Sequence, residues 1–323
     1  MLIKLREFHI TNNYFYTKYS MEESWRHHYL PQFYIKGFCD ENEKIIVYNK
    51  QYKKFEKKSP KYIFFEANRN TFSDALGNQG DTLEKLYADL ESKISPHLMD
   101  AINNTTGEMA VETLRNIIFL AYLTKWRNPQ YDESFKKLKG IFTIDDLGLG
   151  LMADGKRINV EMEEFFLSDL SQESKRLFLS IQPFRFKDDY KIIFKNSFIM
   201  PSSTPCLLGD CPFLEENFDN SKIFEDFIFP ISKDQRLIYS DRISKYEFIE
   251  YFKNDESKWC EFIRLFSTVN DLTTFHLAEK YVACADELYL RCLVESYDNL
   301  IKNQLSNINL LRQVFSVLYN YNT

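Results

Sequence analysis

The sequence has few of the residues that break or cross-link a chain, and it lacks the short motifs of several enzyme classes. Only 9 glycines and 9 prolines occur in 323 residues, so sharp turns are few and no low-complexity linker is present. The six cysteines never occur as Cys-x-x-Cys, which excludes zinc-ribbon spacing. No Gly-x-Ser-x-Gly, His-Glu-x-x-His or P-loop pattern is present, so none of these catalytic classes is indicated.

Long apolar runs and an excess of positive charge are also missing. The longest apolar run, around residues 116–123 and beginning after Asn116, is far shorter than the about 20 residues of a membrane-spanning helix. The first residues carry several charges and lack the apolar core of a signal peptide. We therefore predict a cytoplasmic protein with reduced cysteines and no membrane contact. The net charge of −6 is spread along the chain, so no global basic field indicates nucleic-acid binding.

Aromatic residues are abundant, with 29 phenylalanines and 20 tyrosines. Such a composition excludes intrinsic disorder and supports a substantial core. We predict a loosely attached arm over 1–23, a single domain over 24–300, and a C-terminal amphipathic helix over 301–323 packed on that domain. The apolar face of this last helix is compatible with simple packing and with a homodimer.

Hydrophobic periodicity predicts more helix than strand. Long helices are expected over 82–102, with a kink or break at Pro96, over 108–127, and over about 258–297. Strand patterns fall in two clusters, 44–73 and 183–240. The fold class is therefore predicted as α+β, a predominantly helical body with a small, mostly antiparallel sheet built from the two strand clusters.

One segment, His28–Phe38 (HYLPQFYIKGF), concentrates polar groups beside a short aromatic helix that Pro31 would begin. This segment resembles the opening signature of a bacterial and phage family filed as domain of unknown function 4238. A Lys-rich hairpin follows it, as in that family. The resemblance continues at the acidic helix 83–94, with Glu91 at the family's glutamate, and at the helix end Arg127-Asn128-Pro129.

Weaker similarities lie further along the chain, at residues 207–212, 229–232 and from 269 onward, so the resemblance spans about 26–295. The family carries no known reaction. Its members occur in mobile elements and near phage-defence genes, which implies a role in cellular defence by association.

Six side chains in these motifs carry ionisable or amide groups: His28, Gln32, Glu91, Arg127, Asp210 and Asn270. We expect several of them to converge in a cleft between the helical body and the sheet. In one scheme His28 and Asp210 ligate a divalent metal, Mg²⁺ or Mn²⁺, and Arg127 holds a phosphate. In another, His28 is a general base oriented by Asp210 or Glu91 without a metal.

The same residues also have a structural interpretation. His28 is equally suited to cap the short helix inside the core, and Glu91 with Arg127 to form a buried ion pair between two helices. Asp210 before Cys211 and Pro212 is a natural turn former. His27 is expected to face solvent.

The hairpin of the first strand cluster alternates lysines with aromatic residues. Lys53, Lys54, Lys57 and Lys58 are the candidates for nucleic-acid binding, since such a surface combines phosphate contacts with base stacking. A solvated sheet edge protected from aggregation would show the same pattern.

Two functions therefore stay open. The first is a hydrolase or nuclease-like effector in phage defence that uses the His/Asp/Glu/Arg set. The second is a non-catalytic sensor or adaptor that binds nucleic acid or a partner protein of a defence system.

Overall fold

The structure is a computed structural model that describes part of the chain. The described residues are 25–73, 79–80, 82–104, 109–138, 152–153, 156–157, 179–180, 194–216, 226–302 and 309–322. The predicted arm over 1–23 and the start of the second strand cluster, 183–193, lie outside the described residues.

In chain order, the helices of the described residues are α1 (Gln32–Lys36), α2 (Thr82–Asn103), α3 (Val111–Arg127), α4 (Asp132–Leu138), α5 (Lys245–Phe252), α6 (Glu256–Leu277), α7 (Glu287–Lys302) and α8 (Leu310–Tyr319). Helix α2 runs through Pro96 without a break. The starts of α5 and α6 are capped by Ser244 and Asp255, whose side chains accept hydrogen bonds from backbone N–H groups of the first turn.

The strands are short. They are β1 (Arg26–His28), β2 (Ile45–Asn49), β3 (Lys54–Lys58), β4 (Phe65–Ala67), β5 (Phe72–Ser73), β6 (Gln79–Gly80), β7 (Met152–Ala153), β8 (Lys156–Arg157), β9 (Ser197–Pro201), β10 (Leu208–Gly209), β11 (Leu214–Glu215), β12 (Phe227–Ser232), β13 (Gln235–Tyr239) and β14 (Tyr281–Cys284).

Two antiparallel sheets dominate the described part of the chain. The hairpin sheet has the strand order β10-β14-β2-β3, and the central sheet has the order β11-β12-β13-β9. Strands β1 and β4 pair separately as a ribbon, with His28 opposite Phe65. The α+β class is thus confirmed. The first predicted strand cluster supplies β2 and β3 of the hairpin sheet, and the second supplies the central sheet together with β10 of the hairpin sheet.

The core lies where α1, α2 and α3 meet both sheets. Helix α3 is buried almost all round in its second half. Tyr34 of α1 stacks on Phe229 of the central sheet with ring centroids 5.1 Å apart. The Tyr34 hydroxyl donates to the carbonyl of Pro230 at 2.7 Å. This contact fixes the helix of the His28–Phe38 segment against the central sheet.

The predicted long helix over 258–297 is wrong in its middle. The chain leaves α6 after Leu277, forms β14 and re-enters a helix at Glu287. Strand β14 lies between β10 and β2, so its four residues hold the hairpin sheet together. Tertiary pairing at this point overrides a weak local helix preference.

The C-terminal helix α8 packs on α6 through Val314, Phe315 and Leu318. No helix in the described ranges is both long and apolar enough to cross a membrane.

A buried carboxylate ties α8 to the central sheet. Asp226 accepts hydrogen bonds from the hydroxyls of Ser240 and Tyr319, the latter at 2.8 Å, and from the backbone N–H of Asp241 at 3.1 Å. The Arg242 guanidinium covers the Tyr319 ring at 4.7 Å. Burial raises the pKa of Asp226 to about 6 from its ordinary 3.8. The folded chain therefore holds this proton more tightly than the unfolded chain does.

This raised pKa gives a prediction for Asp226→Asn. The free energy of unfolding of the wild type falls as pH rises from about 4 to about 6, because the folded state must ionise a buried group. Asparagine does not ionise, so the free energy of unfolding of Asp226→Asn should not fall in this way. Relative to the wild type it should rise by about 2 kcal/mol between pH 4 and pH 6. Urea unfolding at a series of pH values measures the difference. The exposed Asp234→Asn is the control, and a pH-independent difference for Asp226→Asn would contradict the prediction.

Candidate functional site

His28 lies at the end of β1 with its ring inside the protein. Only 6% of the residue is exposed, and its ring lies 5.7 Å from that of Phe65. The side-chain amide of Gln32, one turn of chain later, is 3.4 Å from Nδ1. The Nε2 atom is buried without a hydrogen bond of normal geometry to the described residues, although the backbone carbonyls of Pro60 and Lys61 act as acceptors near the ring.

The protonation of His28 follows from these surroundings. Burial, and next the positive charge of Arg127, lower its pKa below the ordinary 6.5, while the carbonyl groups of Pro60 and Lys61 and the charge of Glu84 oppose the shift. The ring is therefore neutral at pH 7 and carries a lone pair suited to accept a proton.

Arg127 is the last residue of α3 and is almost fully buried. Its Nη1 donates to Glu91, its Nη2 lies 3.5 Å from Glu84 Oε2, and its guanidinium lies 4.2 Å from the Tyr87 ring centre. Glu84, Tyr87 and Glu91 are spaced at i, i+3 and i+7, so they share the face of α2 that meets α3. Burial raises the pKa of Glu91, and Arg127 opposes that shift.

The ribbon and α2 are joined by a chain of hydrogen bonds. The backbone N–H of Asn70 donates to His27 Nδ1 at 2.7 Å, and the Asn70 amide donates to Glu84 at 2.6 Å. His27 is thus buried, and the expectation that it faces solvent is wrong. Its buried acceptor role depends on Asn70, which lies 43 residues away in sequence.

The structure therefore brings together four of the six predicted site residues. We call this set, with the addition of Glu84, the acid–base cluster: His28, Gln32, Glu84, Glu91 and Arg127. Glu84 was missed by the sequence reasoning. Its position two helical turns before Glu91 on the acidic helix was the signal that could have found it.

Asp210 follows β10 and is buried in a separate set of contacts. Its Oδ1 accepts from the Gln130 amide at 3.0 Å and from the N–H of Glu279 at 2.9 Å. Its Oδ2 accepts from the N–H groups of Lys280 at 2.6 Å and Tyr281 at 3.0 Å. Burial raises the pKa of Asp210, and these backbone donors oppose the shift. Four donors fill the carboxylate, so the geometry favours a structural role that holds the start of β14.

Asn270 belongs to a third network, inside α6. Its Oδ1 accepts from Nε of the fully buried Arg236 at 2.8 Å, and Nη2 of Arg236 donates to Asp271 at 2.7 Å. Asp271 also accepts from the Tyr289 hydroxyl at 2.7 Å. These contacts join α6, β13 and α7, and none of them reaches the acid–base cluster. A catalytic role for Asn270 stays a prediction without geometric support.

Metal binding finds little support in the described ranges. No group of three or more His, Cys, Asp or Glu side chains there is arranged to hold a metal ion. His28 and Asp210, the two predicted ligands, share no contact in the described residues, and both oxygens of Asp210 are engaged by other donors. Magnesium or manganese at this pair therefore stays a prediction.

The hairpin lies at the edge of its sheet, because β3 pairs with β2 alone among the strands of the described residues. Lys57 forms an ion pair with Asp40 at 2.7 Å, and Lys58 forms one with Glu56 at 2.7 Å. Lys53 and Lys54 are exposed at the tip and form no ion pair within the described residues. Two of the four predicted lysines thus have their charge locally balanced, and two present it to solvent.

The aromatic residues of the hairpin divide in the same way. Tyr52 at the tip is 65% exposed. Tyr48 and Phe55 pack against each other with tilted rings whose centroids are 4.7 Å apart, and both join the apolar cluster that includes α7. Lys50 is turned inward, where its Nζ donates to the carbonyls of Phe275 and Ala278 at the end of α6.

A comparison with protein-family models finds one match. Residues 26–188 match the family described as "Protein of unknown function (DUF4238)". The chain belongs to this family. No curated protein and no solved structure matches the chain significantly.

The residues that match the DUF4238 model include some of the candidate site residues and not others. It contains the whole acid–base cluster and the hairpin, whereas Asp210 and Asn270 lie beyond it. The α2–α3 pair, the β1–β4 ribbon and the hairpin sheet edge are therefore the parts that this DUF4238 chain shares with its family model. Any function common to the family is best sought there.

A test of the Asp210 interpretation is Asp210→Asn. An amide nitrogen at either carboxylate position would face two donors, so at least two buried N–H groups lose their acceptor. We expect a loss of about 3 kcal/mol in the free energy of unfolding, measured by urea denaturation. Asp89→Asn, which alters an exposed pair with Lys93, should change stability by less than about 0.5 kcal/mol. An Asp210→Asn variant as stable as the wild type would contradict the structural role.

Proposed function

We propose that this chain is a nucleic-acid-binding protein that contacts phosphates along the exposed edge of its hairpin sheet. The observation that carries the proposal is a contrast between interior and surface. The candidate catalytic residues are buried and engaged with one another, whereas Lys53, Lys54 and Tyr52 are exposed at a sheet edge. This matches the sensor or adaptor interpretation of the sequence.

The charge of the hairpin and the residues around it supports binding of a polyanion. Residues 36–62 contain eight lysines against four acidic residues, in a chain whose net charge is −6. The local charge is thus opposite in sign to that of the whole molecule. Because phosphate contacts by Lys release counterions, binding at such a patch is strongly dependent on salt.

The geometry of the edge also suits a strand-like ligand. Lys53 to Lys58 extend over about 17 Å of strand, with two exposed lysines at the tip and two ion-paired lysines at the other end. An edge strand that carries lysines is also protected against pairing with other sheets. Both properties can coexist, and the exposed charges at the tip favour the binding role.

The prediction from this proposal concerns the double variant Lys53→Glu/Lys54→Glu. Fluorescence anisotropy with a fluorescein-labelled oligonucleotide should show weaker binding than for the wild type. The slope of log K against log salt should fall by about 1.4 for two lost contacts with a single strand.

A charge-matched control lies on another face of the molecule. Lys253→Glu/Lys258→Glu reverses two exposed lysines that pair with Glu250 and Asp255. This control should leave the salt slope unchanged. Equal affinity and slope for the wild type and the hairpin variant would rule out the hairpin edge as the phosphate contact.

A second candidate function is hydrolysis at the acid–base cluster. One observation favours it, namely that a buried, neutral histidine lies within the electrostatic influence of Arg127 and Glu84, and that Arg127 also pairs with the partly exposed Glu91. In this scheme His28 takes a proton from water, the water oxygen attacks phosphorus, and the P–O bond to the leaving group breaks. The leaving oxygen takes back the proton that His28 accepted, and Glu91, ionised against Arg127, offsets the positive charge that forms on His28 during the reaction.

The roles of the other cluster residues differ from those expected. Arg127 is occupied by Glu84 and Glu91, so it orients these carboxylates and does not hold a phosphate. Gln32 orients the His28 ring. Since Nε2 is buried, a reaction there requires the ribbon to admit water.

This second candidate predicts that His28→Gln and Glu91→Gln lose hydrolysis of bis(p-nitrophenyl) phosphate and of an oligonucleotide by about 100-fold or more. Because burial and Arg127 lower the pKa of His28, activity of the wild type should persist as pH drops through the ordinary 6.5 and fall only below the lowered pKa, where protonation removes the lone pair. The assay is run with EDTA, Mg²⁺ and Mn²⁺ in turn, with Asp89→Asn as the control. Equal rates in folded variants would reject hydrolysis at this cluster.

We extend the proposal to a place in phage defence, which the resemblance to the family implies by association. Plating of phage on cells that express the wild type or the hairpin variant tests whether binding by the hairpin and protection go together.

A further inference from the structure

Three exposed or half-buried rings surround one guanidinium beside the ribbon. The Arg26 guanidinium lies 4.7 Å from the Trp25 ring centre, 5.0 Å from that of Tyr62 and 5.4 Å from that of Phe65. Trp25 is 52% exposed and Tyr62 is 49% exposed. We call these four residues the aromatic platform. A further cation, Lys61, lies 5.5 Å from the Tyr62 ring centre.

We propose that the aromatic platform stacks the bases of single-stranded nucleic acid. This inference rests on the proposed function, to which it adds the class of ligand and the residues that contact bases. Trp25 and Tyr62 are each about half exposed, and the guanidinium of Arg26 lies over both rings. A base stacked on either ring is stabilised without sequence-specific contacts.

The position of the platform relative to the hairpin supports this assignment. Strand β3 ends at Lys58, and the short turn Pro60–Tyr62 leads directly from it to the platform. A ligand whose phosphates follow the lysines of β3 would therefore bring its bases to Tyr62. This is the combination of a cationic track and stacking rings that single-strand binding requires.

The chemistry favours a single strand over a duplex and over a lipid surface. In a duplex the base faces are hidden by stacking, so exposed rings gain no contact with them. A lipid surface would call for aliphatic side chains that insert beside the rings, whereas the partners of Trp25 and Tyr62 on this platform are a guanidinium, an ammonium and another ring.

Tryptophan fluorescence gives a direct test, since the chain has three tryptophans and they differ in exposure. Trp126 is buried and Trp259 is half-buried, so Trp25 is the one most open to a stacked base. Titration of the full chain with oligodeoxythymidylate should quench its emission, and Trp25→Phe should remove most of that quench. A quench that persists undiminished in Trp25→Phe overturns the proposal.

Affinity measurements separate the platform from the hairpin. Trp25→Ala and Tyr62→Ala should each weaken binding by about 5- to 150-fold while the salt slope stays that of the wild type. Tyr246→Ala, at a tyrosine 75% exposed on α5, is the matched control and should bind normally. Unchanged affinity of both platform variants overturns the stacking role while leaving a salt-dependent contact of the hairpin standing.

The nature of the ligand is tested with the same protein. A duplex of equal length and vesicles of phosphatidylserine and phosphatidylcholine replace the oligonucleotide. We expect the single strand to bind at least about tenfold tighter than the duplex, because only the single strand offers open base faces. Quenching by vesicles but not by the oligonucleotide overturns the proposal in favour of a lipid surface.

Discussion

The fold depends on how two buried positive charges at the end of α3 are neutralised. Lys125 donates to Glu215 of β11 at 2.6 Å, among the rings of Trp126 and Phe213 at 4.9 and 5.1 Å. Two residues later, Arg127 meets the glutamates of α2. Each charge is almost fully removed from water, and removal of a partner from such a pair commonly costs roughly 3–5 kcal/mol. The end of α3 is therefore fixed against α2 and against the central sheet at once.

The residues that follow α3 extend the same constraint to the hairpin sheet. The Asn128 amide donates to the carbonyl of Asp210, and the Gln130 amide donates to its carboxylate. Asp210 in turn binds three successive N–H groups at the start of β14. One helix end thus connects α2, the central sheet and the strand that holds the hairpin sheet together. This connection explains why the polar residues of the family motifs are buried. Their hydrogen bonds fix the relative positions of helices and strands, which hydrophobic packing alone does not specify.

Much of this fold could be predicted from the sequence, because it follows from local patterns. The apolar second half of α3, the β2–β3 hairpin and the short helix after Pro31 each carry their signal within a few residues. Strand β14 carries no such signal, since Tyr281–Cys284 is short and lies between two long helical patterns. The grouping of His28, Gln32, Glu91 and Arg127 was anticipated, but the role of each was not. A role depends on which partners remove a side chain from water, and the partners of Asp210 and Asn270 come from segments that no local pattern links to them.

Phe65 lies between the aromatic platform at the surface and His28 of the acid–base cluster in the interior. Its ring contacts those of Trp25 and His28, at 5.9 and 5.7 Å, and it faces the Arg26 guanidinium. A ligand bound to the aromatic platform would therefore lie next to the Phe65 ring, which also packs against His28. The ribbon joins the two regions, since β1 carries both Arg26 and His28 and β4 carries Phe65. The hydrogen bonds from Asn70 to His27 and from Asn70 to Glu84 also hold the ribbon on α2. The position of the Phe65 ring therefore sets both the shape of the aromatic platform and the cover over His28.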